Sequence, residues 1–108
     1  MSDAICLKEI ARARSGDKAN QLNIGVIADT EQAYERVDEQ LTAERVQRYF
    51  EGVIEGEVIR YELPNIRGFN FVGTDALGGG GQRSIRYDTQ GKTYAAALLL
   101  LELPPWQQ

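Results

Sequence analysis

One short segment near the N-terminus concentrates the groups that could bind an anion or move a proton. Residues 12–20 read RARSGDKAN, with cations, a hydroxyl, a carboxylate and an amide around a single glycine. A glycine lets the backbone turn so that its N–H groups converge, and neighbouring cations supply charge for a phosphate or a carboxylate. The pattern predicts an anion-binding loop, and an ordinary hairpin loop with a solvated charge cluster is the alternative. The predicted ligand-binding residues here are Arg14, Ser15, Gly16, Asp17 and Lys18.

A second candidate is the run of four glycines at residues 78–81, followed by Gln82 and Arg83. Such a backbone can approach a ligand closely, and its N–H groups can cradle an anion. The alternative is a surface loop without a ligand. The predicted ligand-binding residues in this segment are Gly78, Gly79, Gly80 and Arg83.

Two familiar nucleotide-binding patterns are missing. Gly91-Lys92-Thr93 resembles the end of a P-loop, but Arg86 stands where that motif needs its first glycine. A dinucleotide-binding pattern that starts at Gly78 fails because Arg83 occupies its third glycine position. We therefore reject nucleotide binding by either motif.

The chain has few of the side chains that most often act in catalysis or bind a metal. The chain has no histidine, and Cys6 is its one cysteine, for which we favour a role as a small core residue. An internal disulfide, a four-thiolate iron–sulfur cluster and a zinc finger are therefore excluded, and no metal site or cofactor is predicted. Catalysis by histidine is excluded as well, which leaves Asp17 and Lys18 as a candidate acid–base pair. Since lysine needs burial to lower its pKa, a place in a polar loop disfavours that pair.

Charge and hydropathy narrow the class of partner. The chain has 108 residues, which fit one domain over 1–108, and its net charge is −4. An acidic chain argues against a nucleic-acid partner, which requires a basic face. The longest apolar run, from Tyr94 to Leu101, is too short to cross a bilayer, and we see no signal peptide. We expect a cytoplasmic protein with no membrane partner.

The periodicities predict an α+β fold. Alternation from Leu22 to Ala28 predicts a buried strand, and helical spacing predicts a helix from Glu31 and a second one after Thr42. One sheet with helices on one side is the economical arrangement, with Asn23, Gly25 and Arg60 on its less apolar other face. Further strands are predicted over 5–11, 57–63, 69–71 and 85–87, and residues 93–103 are predicted as a helix, with a hairpin strand as the competing possibility.

Nearly the whole chain, roughly Ile5 to Leu103, resembles the small domain at the C-terminus of acyclic terpene utilisation proteins of the AtuA type. The segments that carry the resemblance are ARSGDKxxxxNIGVIA, LTAERVxxYF, VxRYELPNI, NFVxxxALGGG and RSxRxDxQGK. The resemblance implies a ferredoxin-like sandwich, with an antiparallel or mixed sheet of four to five strands and two main helices on one face. It adds Asn23 to the ligand-binding residues. Where we expect His and Gly-Asp in relatives, this chain has Arg12 and Ala19-Asn20.

The resemblance also implies a setting for the domain. Relatives carry it fused to a large chain and belong to a pathway that handles acyl-CoA thioesters. We therefore expect a separate accessory subunit that meets a larger AtuA-type chain and helps to form an anion or acyl-CoA site, with a CoA thioester as ligand. The alternative is a homo-oligomeric small-molecule-binding module without catalytic activity. The sequence leaves open whether the protein is an enzyme.

Overall fold

The computed structural model of the chain describes residues 3–18, 21–51, 54, 56–74 and 92–106. It contains six strands, three helices and two 3-10 turns within those ranges. The strands are β1 (Ile5–Cys6), β2 (Ala11–Lys18), β3 (Gln21–Ala28), β4 (Val58–Leu63), β5 (Gly68–Gly73) and β6 (Glu102–Leu103). The helices are α1 (Glu31–Gln40), α2 (Ala43–Tyr49) and α3 (Lys92–Leu99), and the 3-10 turns are Leu7–Glu9 and Pro64–Ile66.

Four strands form one antiparallel sheet in the order β2-β3-β5-β4. Since β3 and β4 are both antiparallel to β5, they run parallel to each other, and α1 and α2 connect them. The three strands therefore form a split β-α-β unit with β5 in the middle. The short strands β1 and β6 form a separate antiparallel ribbon. The α+β sandwich predicted from the sequence is confirmed.

The core lies between one face of this sheet and the helices. Because strand side chains alternate between faces, β3 buries every second residue, and β5 does the same with its two phenylalanines. Phe69 and Phe71 are at most 2% exposed. The main apolar residues of the core are Leu22, Ile24, Val26, Val37, Leu41, Val46, Phe69, Phe71 and Leu98. We call this side of the sheet the inner face and the opposite side the outer face.

The helices α1 and α2 both begin after a capping threonine. The Thr30 hydroxyl accepts a hydrogen bond of 3.0 Å from the backbone N–H of Ala33, and the Thr42 hydroxyl accepts one of 3.1 Å from that of Arg45. Each threonine satisfies a donor that the first helical turn leaves unpaired. The break between α1 and α2 therefore falls where Thr42 predicted it.

The buried Arg36 on α1 holds both ends of the described chain. Its Nη2 donates to the carbonyl of Asp3 at 3.0 Å and to that of Pro104 at 2.7 Å. Its guanidinium also lies over the Trp106 ring, at 5.9 Å from the centroid. Burial of this charge is compensated because its donors meet carbonyl oxygens.

Three expectations need correction. The predicted strand over 5–11 is a two-residue strand followed by a 3-10 turn, and the predicted helix over 93–103 ends at Leu99, so that Glu102–Leu103 can pair with β1. Arg60 lies on the inner face, because its guanidinium binds backbone carbonyls at the end of α1. The strand predicted over 85–87 lies outside the described residues. No helix in the described ranges is long and apolar enough to span a bilayer.

Candidate functional site

The RARSGDK segment is a strand and not the predicted loop. Together with Ala11 it forms β2, which pairs with β3 over eight consecutive residues, from Ala11 opposite Ala28 to Lys18 opposite Gln21. Ladder pairing with such an apolar strand outweighs the turn preference of a Ser-Gly-Asp sequence, which local chemistry alone favours. The alternation of β2 then places Arg12, Arg14 and Gly16 on the outer face.

Ser15 lies on the inner face and serves a helix. Its hydroxyl accepts a hydrogen bond of 3.1 Å from the backbone N–H of Ala95, in the first turns of α3. A serine oxygen at this place satisfies a donor near a helix N-terminus, as an N-cap residue does. The hydroxyl that suggested a ligand contact therefore joins β2 to α3.

The two arginines of β2 point into solvent. The Arg12 side chain is 87% exposed, and its Nε lies 3.6 Å from a carboxylate oxygen of Asp29. Arg14 is also exposed, and no acid of the described residues forms a salt bridge with it. Its guanidinium is therefore available to an anion at the outer face.

A polar depression of about 460 Å³ lies beside Arg14 on the outer face. The strand register builds it, since Gly16 stands opposite Asn23, and Gly25 stands between Arg14 on β2 and Asn70 on β5. Side-chain amides can donate to and accept from a ligand, and the arginine adds five donors. The described residues that line it are Arg14, Ser15, Gly16, Gln21, Asn23, Gly25 and Asn70.

Two glycines keep the floor of this depression low. A Cβ added at Gly16 would meet nothing within 4 Å, and one at Gly25 would approach only Asn70 Oδ1 at 3.9 Å and the Arg14 carbonyl at 4.0 Å. At Gly73, in contrast, a Cβ would lie 2.7 Å from the Cδ1 of Ile54. Packing against Ile54 thus leaves no free space for a side chain at Gly73, whereas space is open at Gly16 and Gly25.

An apolar depression of about 500 Å³ continues from the polar one. The two share Arg14, Gly25 and Asn70 in their linings. At the far end the apolar depression exposes Ile27 on β3 and Leu63 on β4, with Ile66 beyond them; these three residues are between 41% and 52% exposed. Together the two depressions form one groove, polar at one end and apolar at the other, which we call the outer groove.

The charges that line the outer groove are positive. Among the described residues, its lining includes Arg12 and Arg14 but no Asp or Glu. This local balance is opposite to the net charge of −4 of the chain. The local charge of the outer groove is therefore more favourable to an anion than the net charge of the chain suggests.

The structure brings some of the predicted ligand-binding residues together and does not describe the others. Of the predicted ligand-binding residues, the outer groove is lined by Arg14, Ser15, Gly16 and Asn23, and the backbone of Asp17 and Lys18 completes β2. Gly78, Gly79, Gly80 and Arg83 lie outside the described residues. The residues that the prediction missed are Gln21, Gly25 and Asn70, although an amide between two buried phenylalanines was a visible signal for Asn70.

Among the described residues, Tyr34 on the inner side of the sheet is the one titratable group whose pKa departs clearly from its ordinary value. Tyr34 stacks on Phe69, with ring centroids 5.2 Å apart. Burial raises the pKa of its hydroxyl above 10.0, and the carboxylates of Asp38, Glu62 and Glu31 raise this pKa further, while Arg60 opposes them. Tyr34 lies behind the sheet, away from the groove.

In the described part of the chain no cluster of three or more Cys, Asp or Glu side chains has the placement of a metal site.

Comparison with known protein families identifies one that the sequence of this chain matches. The model of the AtuA ferredoxin-like domain matches residues 5–104, which is nearly the whole chain. No curated protein and no solved structure matches the chain.

Proposed function

We propose, because the chain belongs to the AtuA ferredoxin-like domain family, that it is an accessory subunit of a larger AtuA-type protein in acyl-CoA-linked catabolism. In this proposal the outer groove contributes an anion or acyl-CoA site to the assembly. The function is binding and positioning, and whether a chemical step follows depends on the larger partner.

The observation that carries this proposal is the pair of glycines under the groove. Packing leaves room for a side chain at Gly16 and Gly25, and a larger residue would suit a strand better than glycine does. A strand that keeps glycine at such positions sacrifices stability, and a ligand that lies against the backbone gives a reason for it. The outer groove therefore fits an occupant better than it fits open solvent.

The two ends of the outer groove suit an amphipathic anion. Arg14 can pair with a phosphate or a carboxylate, and the amides of Asn23 and Asn70 can bind polar groups beside it. The apolar end, at Ile27 and Leu63, can cover a hydrocarbon chain. From Asn23 to Ile27 the strand spans about 13 Å, which leaves space for a short or medium acyl chain.

Calorimetric titration of the full chain with coenzyme A, acetyl-CoA and a medium-chain acyl-CoA tests the ligand. We expect the medium-chain thioester to bind most tightly, because only that ligand reaches the apolar end of the groove. Arg14→Ala should weaken binding about tenfold through the lost charged contact. Gly25→Val should abolish binding by filling the floor, while the melting temperature stays unchanged or rises.

Arg48→Ala is the matched control, because Arg48 is an exposed arginine on α2, away from the groove. This variant should bind like the wild type. Absence of binding to all three ligands at millimolar concentration would contradict the ligand assignment, as would wild-type affinity in Gly25→Val. Co-elution with a larger AtuA-type chain tests the partner separately, and separate elution of the two proteins would contradict the accessory role.

A second candidate function is a small-molecule-binding module that needs no larger chain. It is favoured by the groove itself, since residues of one chain form both of its ends. Thioester affinity that is the same with and without the larger chain would select this function.

A further inference from the structure

The unpaired edge of β4, on the side away from β5, offers backbone groups to another strand. The Glu57 carbonyl accepts from Thr74 N on the β5 side at 2.9 Å, whereas the next N–H, that of Val58, donates to Gln47 Oε1 of α2 at 3.1 Å. Because hydrogen-bonding groups alternate in direction along a strand, those of Arg60 and Glu62 also point away from β5. In the described part of the chain no strand lies beyond β4.

The same strand exposes its apolar side chains. Ile59, Tyr61 and Leu63 lie on the outer face and are 39%, 51% and 41% exposed. Such an edge readily pairs with another chain unless charges or a bulge protect it. Here the two charges of the strand, Arg60 and Glu62, have opposite signs and lie together on the inner face.

We infer that two copies of this chain pair through β4, antiparallel, to form one eight-stranded sheet. The pairing is isologous, so each copy presents the same edge to the other. The inference does not rest on the proposed function, because the contact is made by the backbone at the edge of the sheet, although Leu63 lies both in the contact and at the apolar end of the outer groove.

The charges select one register for this contact. A symmetric antiparallel pair that keeps the two outer faces on one side must be centred on a residue. Centring on Ile59 requires the N–H of Val58, which already donates to Gln47, so Arg60, Tyr61 and Glu62 remain as central positions of the strand. Centring on Arg60 or on Glu62 places two like charges opposite each other, which is unfavourable. Centring on Tyr61 places each Arg60 opposite the partner's Glu62.

The register centred on Tyr61 also satisfies the backbone and the apolar residues. The outward groups of Arg60 and Glu62 become hydrogen-bonded pairs, which gives four backbone hydrogen bonds by symmetry. On the outer face Ile59 meets the partner's Leu63, and the two Tyr61 rings meet at the axis. The side chain of Glu62 is 56% exposed and already lies 2.7 Å from Arg60, so a second guanidinium can join this ion pair.

Sedimentation equilibrium of the full chain over a range of concentrations tests the inference. We expect a monomer–dimer equilibrium for the wild type. Glu62→Arg places two arginines opposite each other at both ends of the contact and should weaken the dimer at least about tenfold. Glu102→Arg is the matched control, because it makes the same charge change at an exposed strand residue of the β1–β6 ribbon. This control should dimerise like the wild type.

A mixing experiment tests the register itself. Arg60→Glu should also be monomeric, but an equimolar mixture with Glu62→Arg should form a heterodimer, because each glutamate again faces an arginine. If Arg60→Glu does not fold, Glu62→Pro replaces it, since this variant removes an outward N–H while leaving the β5 pairing intact, and it should be monomeric. A monomeric wild type at all concentrations, or a dimer that Glu62→Arg leaves intact, would overturn the inference.

Discussion

The two edges of the sheet use the same residue type in different ways. On β2 the arginines stand on the outer face, and the side chain of Arg12 is 87% exposed. On β4 the side chain of Arg60 is 17% exposed, and its Nη2 lies 2.9 Å from Asp38 and 2.7 Å from Glu62. It also lies over the Phe69 ring at 4.7 Å. An arginine on the inner face thus stabilises the fold, and one on the outer face remains available to a ligand.

This difference also separates the edges as contacts. A symmetric antiparallel pairing of two β2 strands that is centred on residue 12, 13 or 14 places two arginines opposite each other. Such repulsion is a common protection of an edge strand. The charges of β4 match when two copies pair, so the sheet has one edge that discourages self-pairing and one that favours it.

The largest expected effect on stability comes from replacing Arg60, the arginine of β4. Arg60→Ala should lower the free energy of unfolding by about 2 kcal/mol, because it leaves two carbonyls and Asp38 without a charged donor. Arg12→Ala should change it by less than about 0.5 kcal/mol, as expected for an exposed ion pair. Urea unfolding monitored by circular dichroism measures both values. Equal losses in the two variants would remove the contrast between the edges.

The next largest effect on stability comes from replacing Ser15, whose hydroxyl joins β2 to α3. Ser15→Ala should lower the free energy of unfolding by about 1 kcal/mol, because the N–H of Ala95 loses its acceptor. Ser15→Thr keeps the hydroxyl and should lose less. In neither variant should the affinity for a thioester change as it does in Arg14→Ala. A loss of affinity without a loss of stability would assign Ser15 to the ligand.

The smallest effect concerns Tyr34, behind the sheet. Its pKa is raised in the folded state, so the contribution of the neutral phenol is fully present below pH 10.0, the unfolded value, and is lost as the pH rises through the folded pKa. We expect the free energy of unfolding to fall more steeply above pH 10 in the wild type than in Tyr34→Phe. Thermal melts of both proteins across this pH range measure the difference. Parallel pH profiles would contradict the shift.

The fold followed from the sequence wherever one signal decided it. Alternation predicted β3, and the position of Thr42 predicted the start of α2. Alternation in β4 separated Ile59, Tyr61 and Leu63 from the charged residues but did not say which set faces the helices. That choice depends on the carbonyls at the end of α1, which bind Arg60 and lie some twenty residues away along the chain.

The residues that line the outer groove could be anticipated only in part, because the groove depends on how the strands pair. The local composition of β2 indicated Arg14 and Gly16, but it also suggested a loop, because a Ser-Gly-Asp sequence does not reveal the strand beside it. Gly25 and Asn70 join the groove only through the register of β3 with β5. The register depends on long-range pairing, so a reading of one segment at a time does not find them.

The position of Arg36 has a consequence for how the chain opens. One guanidinium binds the carbonyls of Asp3 and Pro104, and Gln40 adds a second donor to Pro104. When the segment at Asp3 or the segment at Pro104 detaches, the other loses part of its anchor, so the two segments should open as one cooperative unit. These segments, about a hundred residues apart along the chain, then share one opening equilibrium, and amide exchange in one segment reports on the other.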